Sequence, residues 1–303
     1  MEMVPTPLEK AAILVEALPY IRKFSGQTVV VKYGGRAMLS DELKQGVIAD
    51  CILLKLVGIH PVLVHGGGAA IEQMLRRLGK DWQFVRGQRV TDQETMEIVE
   101  MVLSGQVNKE IVGLINRLGG KGIGLSGKDA NLIVARKQAP PSEPGHPPGA
   151  EPVDLGFVGE ITRINPEIIE TVRSEGYIPV VAPIGVGEDG ETYNINADYV
   201  AGEMAAALKA NKLVLLTDVE GILKDRSDPS SLISVIRTGD VPDYIERGII
   251  AGGMIPKVEC CVQALNQGVG RTHIIDGRIL HSILLEVFTD KGVGTMVVED
   301  QLI

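Results

Sequence analysis

Lys32 and Lys257, each beside a glycine turn, are the residues of this 303-residue sequence whose types and spacing best suit chemistry on an anion. Lys32-Tyr33-Gly34-Gly35 follows an apolar run, and Gly66-Gly67-Gly68 follows a second one and opens a helical pattern. Glycine turns at the carboxyl ends of parallel strands leave backbone N–H groups unobstructed, and a helix N-terminus adds partial positive charge. A further turn, Gly252-Gly253, leads through Met254-Ile255 into a helix whose first turn holds Pro256 and Lys257. The helix dipole disfavours a lysine there, and an anion held at the same place removes the conflict. Tight turn packing explains either glycine turn alone. Together, with a lysine ending the first strand, they favour a site for phosphate groups.

Two other motifs point elsewhere and fail on context. Gly122-Ile-Gly-Leu-Ser-Gly127-Lys128 matches G-x-G-x-x-G and most of a P-loop. A P-loop needs Ser or Thr after the lysine to hold Mg²⁺, whereas this chain has Asp129, and Leu132–Ala135 beyond it reads as a strand rather than a helix. His65-Gly66-Gly67-Gly68 is like the oxyanion loop of lipase-like hydrolases, which requires a G-x-S-x-G elbow. The nearest candidate, Gly124-Leu-Ser126-Gly-Lys128, lacks the final glycine and precedes a strand.

The elements that must position the lysines alternate. Thr6-Pro7-Leu8-Glu9 opens a helix, with Thr6 as N-cap and Glu9 completing a capping box; Pro19 predicts a kink near its end. From Thr28 short apolar runs alternate with helical periods. Strands are expected at Thr28–Lys32, Pro61–Val64, Gly122–Leu125, Leu132–Ala135, Phe157–Ile164, Ile178–Ala182 and Leu213–Thr217. Helices are expected over 40–57, 69–78 and 92–118. Buried strands separated by helices imply right-handed crossovers and a parallel sheet covered on both faces. Between Gln138 and Pro152 lie six of the 16 prolines, which reads as an exposed hairpin extension. A lobe boundary is expected near Pro183–Gly190.

Composition narrows the function classes. With 45% hydrophobic and 23% charged residues the chain can bury a full core. A net charge of −9 argues against a nucleic-acid footprint, so a few local cations must hold any anionic ligand. Three cysteines, two of them adjacent at Cys260 and Cys261, give neither a disulfide framework nor a metal-ligand spacing. The five histidines are scattered, and no dedicated metal site is expected. The first residues show no signal-peptide pattern and no apolar run reaches membrane length, from which a cytoplasmic location is expected.

The motifs taken together resemble the N-acetylglutamate kinases of the amino-acid-kinase family. Lys32 with Gly34-Gly35, His65 to Gly68, Arg86-Gly-Gln-Arg89-Val-Thr91, Asn194-Ile-Asn196-Ala-Asp198, Leu216-Thr-Asp218-Val-Glu-Gly221 and Gly252 to Lys257 occur in that family's order. The likeness runs from about Thr28 to Val298. It implies an α/β fold, a mostly parallel open sheet sandwiched between helices, in two lobes with a kinked N-terminal helix. The divisions would be 1–24 for an interlacing helix, 25–184 for an acetylglutamate-binding lobe and 185–303 for a nucleotide-binding lobe.

The resemblance also assigns roles. Lys32 and Lys257 would stabilise the transferring phosphoryl group of ATP, used with Mg²⁺, and Asp198 would hold the two lysines. Gly67, Gly68, Arg89 and Asn194 would bind N-acetyl-L-glutamate. Gly34, Gly35, Asp218, Val219, Gly221, Leu223, Ile249, Ile250, Gly253 and Met254 would line the nucleotide site. A carboxylate acceptor is ionised at neutral pH and needs no general base, which suits motifs rich in lysine and glycine. The N-terminal helix and the segment His281 to Met296 resemble the arginine-inhibited branch, in which such helices interlace dimers into a hexamer. There Tyr20, His273, Glu286 and Gly292 would contact L-arginine, and in some branches a PII signalling protein binds. The alternatives are another amino-acid kinase, or a nucleotide- or arginine-sensing module without catalysis.

Overall fold

The computed structural model describes residues 6–38, 40–85, 87–140, 154–289 and 292–300. Helices α1 (Pro7–Glu16) and α2 (Leu18–Phe24) meet at Ala17 with a bend of 33°. Thr6 Oγ1 accepts from Glu9 N at 3.3 Å, and Thr6 N donates to Glu9 Oε2 at 2.7 Å, which closes the expected capping box. Pro19 has no N–H for the carbonyl four residues back, so the helix breaks just before it.

The chain then builds β1 (Thr28–Tyr33), α3 (Asp41–Leu56), β2 (His60–His65) and α4 (Gly68–Arg77). A small hairpin follows, β3 (Phe84–Val85) with β4 (Gln88–Arg89). Helix α5 (Gln93–Glu100), a π-helical segment Met101–Val107 and α6 (Asn108–Arg117) fill the expected helical stretch over 92–118. Next come β5 (Gly122–Ser126), β6 (Ile133–Lys137), β7 (Gly159–Ile164), α7 (Glu167–Ser174), β8 (Ile178–Ala182), β9 (Ile184–Val186) and β10 (Thr192–Asn194). The C-terminal part carries α8 (Ala197–Ala207), β11 (Lys212–Thr217), β12 (Val235–Arg237), α9 (Val241–Glu246), α10 (Ile255–Asn266), β13 (Arg271–Asp276), α11 (Ser282–Phe288) and β14 (Thr295–Val298).

Eight strands form the main sheet in the order β12-β14-β13-β11-β1-β2-β8-β5. From β13 to β5 every pairing is parallel, and β14 turns antiparallel to β13 at one edge. The period of two along β1 sorts its side chains between two cores. Val30 packs with Met204, Ala205 and Leu265 on the α8 and α10 side. Val29 and Val31 pack with Ile48, Leu54 and Ile283 on the α3 and α11 side. Helices thus cover both faces, as buried parallel strands require. Strands β2 and β11 flank β1, so the strand order reverses at β1 and opens a crevice at its carboxyl end, at Lys32 to Gly35.

One expectation needs revision. The stretches around 132–135 and 157–164 do not extend the parallel sheet. They form a second sheet, ordered β10-β9-β6-β7, in which β6 and β7 pair antiparallel. The cause is local: Ala130 and Asn131 adopt left-handed backbone (φ 52° and 50°) and reverse the chain after β5 without a crossover helix. Gly127 sits in this reversal against the carbonyl of Ile184, where no Cβ fits. The β6–β7 pairing agrees with a hairpin around the Pro-rich stretch, most of which lies outside the described residues. Among the described residues no helix is long and apolar enough to cross a membrane.

Candidate active site

Strand β1 delivers Lys32 to the crevice, and the carboxylate it meets comes from α8. Asn196 caps α8: its Oδ1 accepts from Asp198 N at 2.8 Å, which sets Asp198 in the first turn, where the dipole favours an acid. Lys257, in the first turn of α10, donates from Nζ to Asp198 Oδ2 at 2.6 Å. Lys32 Nζ lies 3.1 Å from Oδ1 as an ion pair, without the angle of a directed hydrogen bond. Burial alone would raise the acid's pKa, but the Lys32 and Lys257 ammonium groups outweigh it and hold Asp198 below its ordinary value. Two cations therefore share one carboxylate and leave one positive charge unbalanced. Their side chains stay 12% and 22% exposed, within reach of a ligand in the crevice.

The glycines of the first turn are dictated by this crowding. A Cβ on Gly34 would stand 2.9 Å from Lys32 Nζ, and one on Gly35, at φ 66°, would collide with the Asp218 carboxylate. Gly66 N donates to Tyr33 O at 2.7 Å, which ties the second glycine turn to the first. Gly67, at the head of α4, presses against Leu103 of the π-helical segment, and a Cβ on Gly68 would meet nothing within 4 Å.

Gly67, Gly68, Arg89 and Asn194 line one cavity of about 200 Å³. Arg89 is buried: Nη2 donates to Glu72 Oε1 at 3.0 Å, the guanidinium lies 4.6 Å from the Phe84 ring centroid, and Nη1 has no hydrogen-bond partner among the described residues. A buried guanidinium N–H left unmatched in the wall of this cavity suits a ligand carboxylate. Asn194 Nδ2 donates to Thr91 Oγ1 at 3.3 Å, which in turn donates to Arg89 O at 2.8 Å. The sequence reading missed Glu72 as the partner of Arg89, although its position one turn into α4 was a usable signal. A larger cavity, about 560 Å³, adjoins the same glycine turns on the α3 and α6 side.

The residues expected at the nucleotide lie on two segments. Asp218, Val219, Gly221 and Leu223 follow β11, and Ile249, Ile250, Gly253 and Met254 precede or open α10. Arg226 Nη2 donates to Ala251 O at 3.5 Å and links the segments. Gly221 lies close to Thr295, whose Oγ1 accepts from Ile222 N at 2.8 Å. Ile249 and Met254 pack on the core that buries Ile222 and Ile250. Among the described residues no group of three or more His, Cys, Asp or Glu is placed to hold a metal ion.

A second polar cluster is buried near the amino end of β11, away from the crevice. His273 Nδ1 lies 2.7 Å from Glu286 Oε1, Val293 N donates to Glu286 Oε2 at 2.9 Å, and Gly292, at φ 59°, leaves no room for a Cβ against that carboxylate. Burial pushes Glu286 up, but His273, the Val293 N–H and Lys212 outweigh it and hold it below its ordinary value. Lys212 is the member that the sequence reading missed. Its Nζ sits 3.2 Å from His273 Nε2 and 5.1 Å from the Phe24 ring centroid, and burial pushes its pKa down to about 8. A lysine opening the otherwise apolar run Leu213–Thr217 was the available signal. Tyr20 packs on the same core as Phe24 and Val287.

His65 titrates inside the fold with a visible sign. Burial pushes it down to about 4, against the hydrogen bond to Gly66 O, which favours the charged form. The unfolded chain therefore binds a proton near pH 6.5 that the folded chain refuses, and this share of stability is present above 6.5 and lost towards 4. Asp50, raised to about 6 by burial, works in the opposite direction, so a variant comparison is needed to isolate His65. The melting-temperature gap between wild type and His65→Gln should narrow from pH 7 to pH 4.5; a constant gap would refute the assignment.

Residues 27–276 match the profile of the Amino acid kinase family. Among curated relatives, the acetylglutamate kinase of Moorella thermoacetica is 67% identical over 297 residues, 98% of this chain and 99% of that one. Among solved structures, the N-acetylglutamate synthase of Neisseria gonorrhoeae complexed with coenzyme A and N-acetyl-glutamate superposes with a TM-score of 0.81 at 27% identity, over 96% of this chain and 64% of the synthase. The same synthase with coenzyme A and L-arginine gives 0.77 at 25% identity, over 96% and 65%. Near full-length identity of this order accompanies a shared fold and a shared set of motifs, and the chain belongs to the amino acid kinase family, among its acetylglutamate kinases.

Proposed function

We propose that the chain transfers the γ-phosphoryl group of ATP to the side-chain carboxylate of N-acetyl-L-glutamate, a step of arginine biosynthesis, under feedback inhibition by L-arginine. The observation that carries the reading is the Lys32–Asp198–Lys257 hub next to a cavity lined by a buried, unmatched Arg89. The acceptor oxygen attacks the γ-phosphorus, its bond to the ADP oxygen breaks, and an acyl phosphate forms. No proton need move, because the acceptor is already a carboxylate. Lys32 and Lys257 offset charge on the phosphoryl oxygens, with Asp198 fixing both ammonium groups. The glycine cradle at Gly34 and Gly35 suits closely approaching phosphates, and Mg²⁺ carried on them would spread their charge. On this reading residues 25–184, joined by Asn194, hold acetylglutamate, and 185–303, joined by Gly34 and Gly35, hold the nucleotide.

The test is ADP release coupled to each of acetylglutamate, glutamate, aspartate and carbamate; release with another acceptor and none with acetylglutamate would overturn the proposal. Arg89→Ala should raise the KM for acetylglutamate about 10–100-fold, as expected for losing a charge-assisted contact to a carboxylate, and leave the KM for ATP within about twofold. Equal weakening toward both ligands would assign Arg89 to the fold instead.

Two features support the arginine arm. The buried cluster offers Glu286 to a guanidinium and Lys212 to a carboxylate, which is the charge pattern of a free basic amino acid. Helix α1 buries none of its residues and leaves Leu8 and Leu14 81% and 71% exposed, an apolar surface suited to a second copy of the chain.

A further inference from the structure

We infer that His65 and Asn108 form a buried positioning pair that aims the Gly67 N–H at the substrate, an inference that rests on the reaction proposed above. His65 ends β2 and is fully buried. Its Nδ1 lies 2.8 Å from Gly66 O. A carbonyl only accepts, so Nδ1 carries the proton, and the neutral ring leaves Nε2 as an acceptor. Asn108 Nδ2 supplies the donor to Nε2 at 3.3 Å and also donates to Val180 O at 2.9 Å. Its Oδ1 accepts from Lys109 Nζ at 3.0 Å, so every partner agrees on the amide's orientation. Asn108 is the first residue after the π-helical segment and has no exposed surface.

The consequence follows from peptide geometry. Across a planar trans peptide the C=O of Gly66 and the N–H of Gly67 point in opposite directions. Holding Gly66 O on the imidazole therefore turns Gly67 N–H away from the ring, while Gly66 N is held by Tyr33 O. A glycine turn lacks side chains to define its orientation, and these two bonds replace them. Gly67 and Gly68 line both cavities beside the lysine hub, so a rotated Gly66–Gly67 peptide would present a carbonyl to an anionic substrate. A histidine and an asparagine that line neither cavity are costly to bury unless fully satisfied, and the satisfied network ends on the loop.

Two amides separate positioning from packing. His65→Asn sets an amide where Nδ1 stood, keeping the hold on Gly66 O and releasing Asn108; His65→Gln reaches the place of Nε2 and releases Gly66 O. Both should lose similar thermal stability. His65→Gln should lower kcat/KM for acetylglutamate about 10–100-fold, the scale of a misaligned donor, with the KM for ATP within about twofold, whereas His65→Asn stays within about threefold. Asn108→Ala, which frees the ring, should fall between them. In protein labelled with ¹⁵N-glycine, the Gly67 amide resonance should move in His65→Gln and Asn108→Ala and stay in His65→Asn. If His65→Gln and His65→Asn lose activity equally, in step with melting temperature, and the Gly67 resonance is the same in both, the pair only packs the core. Wild-type protein inactive on acetylglutamate would sink the reaction instead, and the resonance, which needs no turnover, would still decide the positioning role.

Discussion

Lys32→Ala and Lys257→Ala should each lower kcat about 10²–10³-fold, the usual loss for one electrostatic contact to a transition state, with much smaller changes in KM for either substrate. Both ammonium groups lean on one carboxylate, and that geometry makes the effect large. Asp198 lies between them at 2.6 and 3.1 Å and is almost wholly buried, so neither lysine can drift to replace the other. A loosely tethered surface cation would be replaced by solvent and salt, and its removal would cost little. Here the donors are fixed before phosphate arrives, so no reorganisation opposes the developing charge. Steady-state kinetics with both substrates varied provides the check, and near wild-type turnover in either variant would remove that lysine from the chemistry. Double substitution should cost less than the sum of the two in logarithmic terms, because in each single variant the remaining lysine is drawn onto Asp198 and already partly lost to the phosphoryl group.

The two lysines of that hub were legible in the chain because each sits where its residue type is out of place: Lys32 near the end of a buried strand and Lys257 in a helix first turn. Local chemistry marks such residues. Asp198, an acid in a helix first turn behind an Asn cap, is ordinary there, and only the family resemblance singled it out. Helix starts at Thr6 and Ser40 were equally readable, since caps act within three residues. Partnership across the fold was not. Asn108 looks like any helical asparagine until β2, β5 and β8 converge beneath it, and Lys212 looks like a strand-edge charge until β13 and α11 close over it. The second sheet escaped for a related reason: Gly127 announces a turn, but Ala130 and Asn131, whose left-handed backbone reverses the chain, are neither glycine nor proline and do not reveal its direction. Periodicity reports burial, not which sheet does the burying. Strands β12 and β14 are short and lie at an edge, where that signal is weakest.

L-arginine should inhibit the enzyme at subsaturating acetylglutamate, and Glu286→Gln should raise the inhibitory concentration about 10–100-fold, the value of a charge-assisted contact to a buried carboxylate. Gln preserves the shape of the side chain and an oxygen for the Val293 N–H, so catalysis should persist while the charge that a guanidinium needs is lost. The cluster lies near the amino end of β11, whereas Lys32 and Asp218 occupy the carboxyl ends, so arginine there does not compete for the crevice directly. Coupling instead requires a state that arginine binds better than another. The N-terminal helices are placed to provide it. Phe24 of α2 stacks near Lys212, α2 also packs against α11, and α1 extends outward with its apolar residues uncovered. An arginine whose carboxylate neutralises the buried Lys212 would tighten α2 and α11 on the cluster and fix the direction in which α1 meets a neighbouring copy. Deleting residues 1–24 should therefore lower the mass in solution, expected as a hexamer for the full chain, and weaken inhibition in the same preparation. Light scattering and arginine titration on the two forms decide it: a truncated protein that stays hexameric and fully inhibited would uncouple the helix from the site, and a full-length enzyme unaffected by millimolar arginine would remove the site altogether.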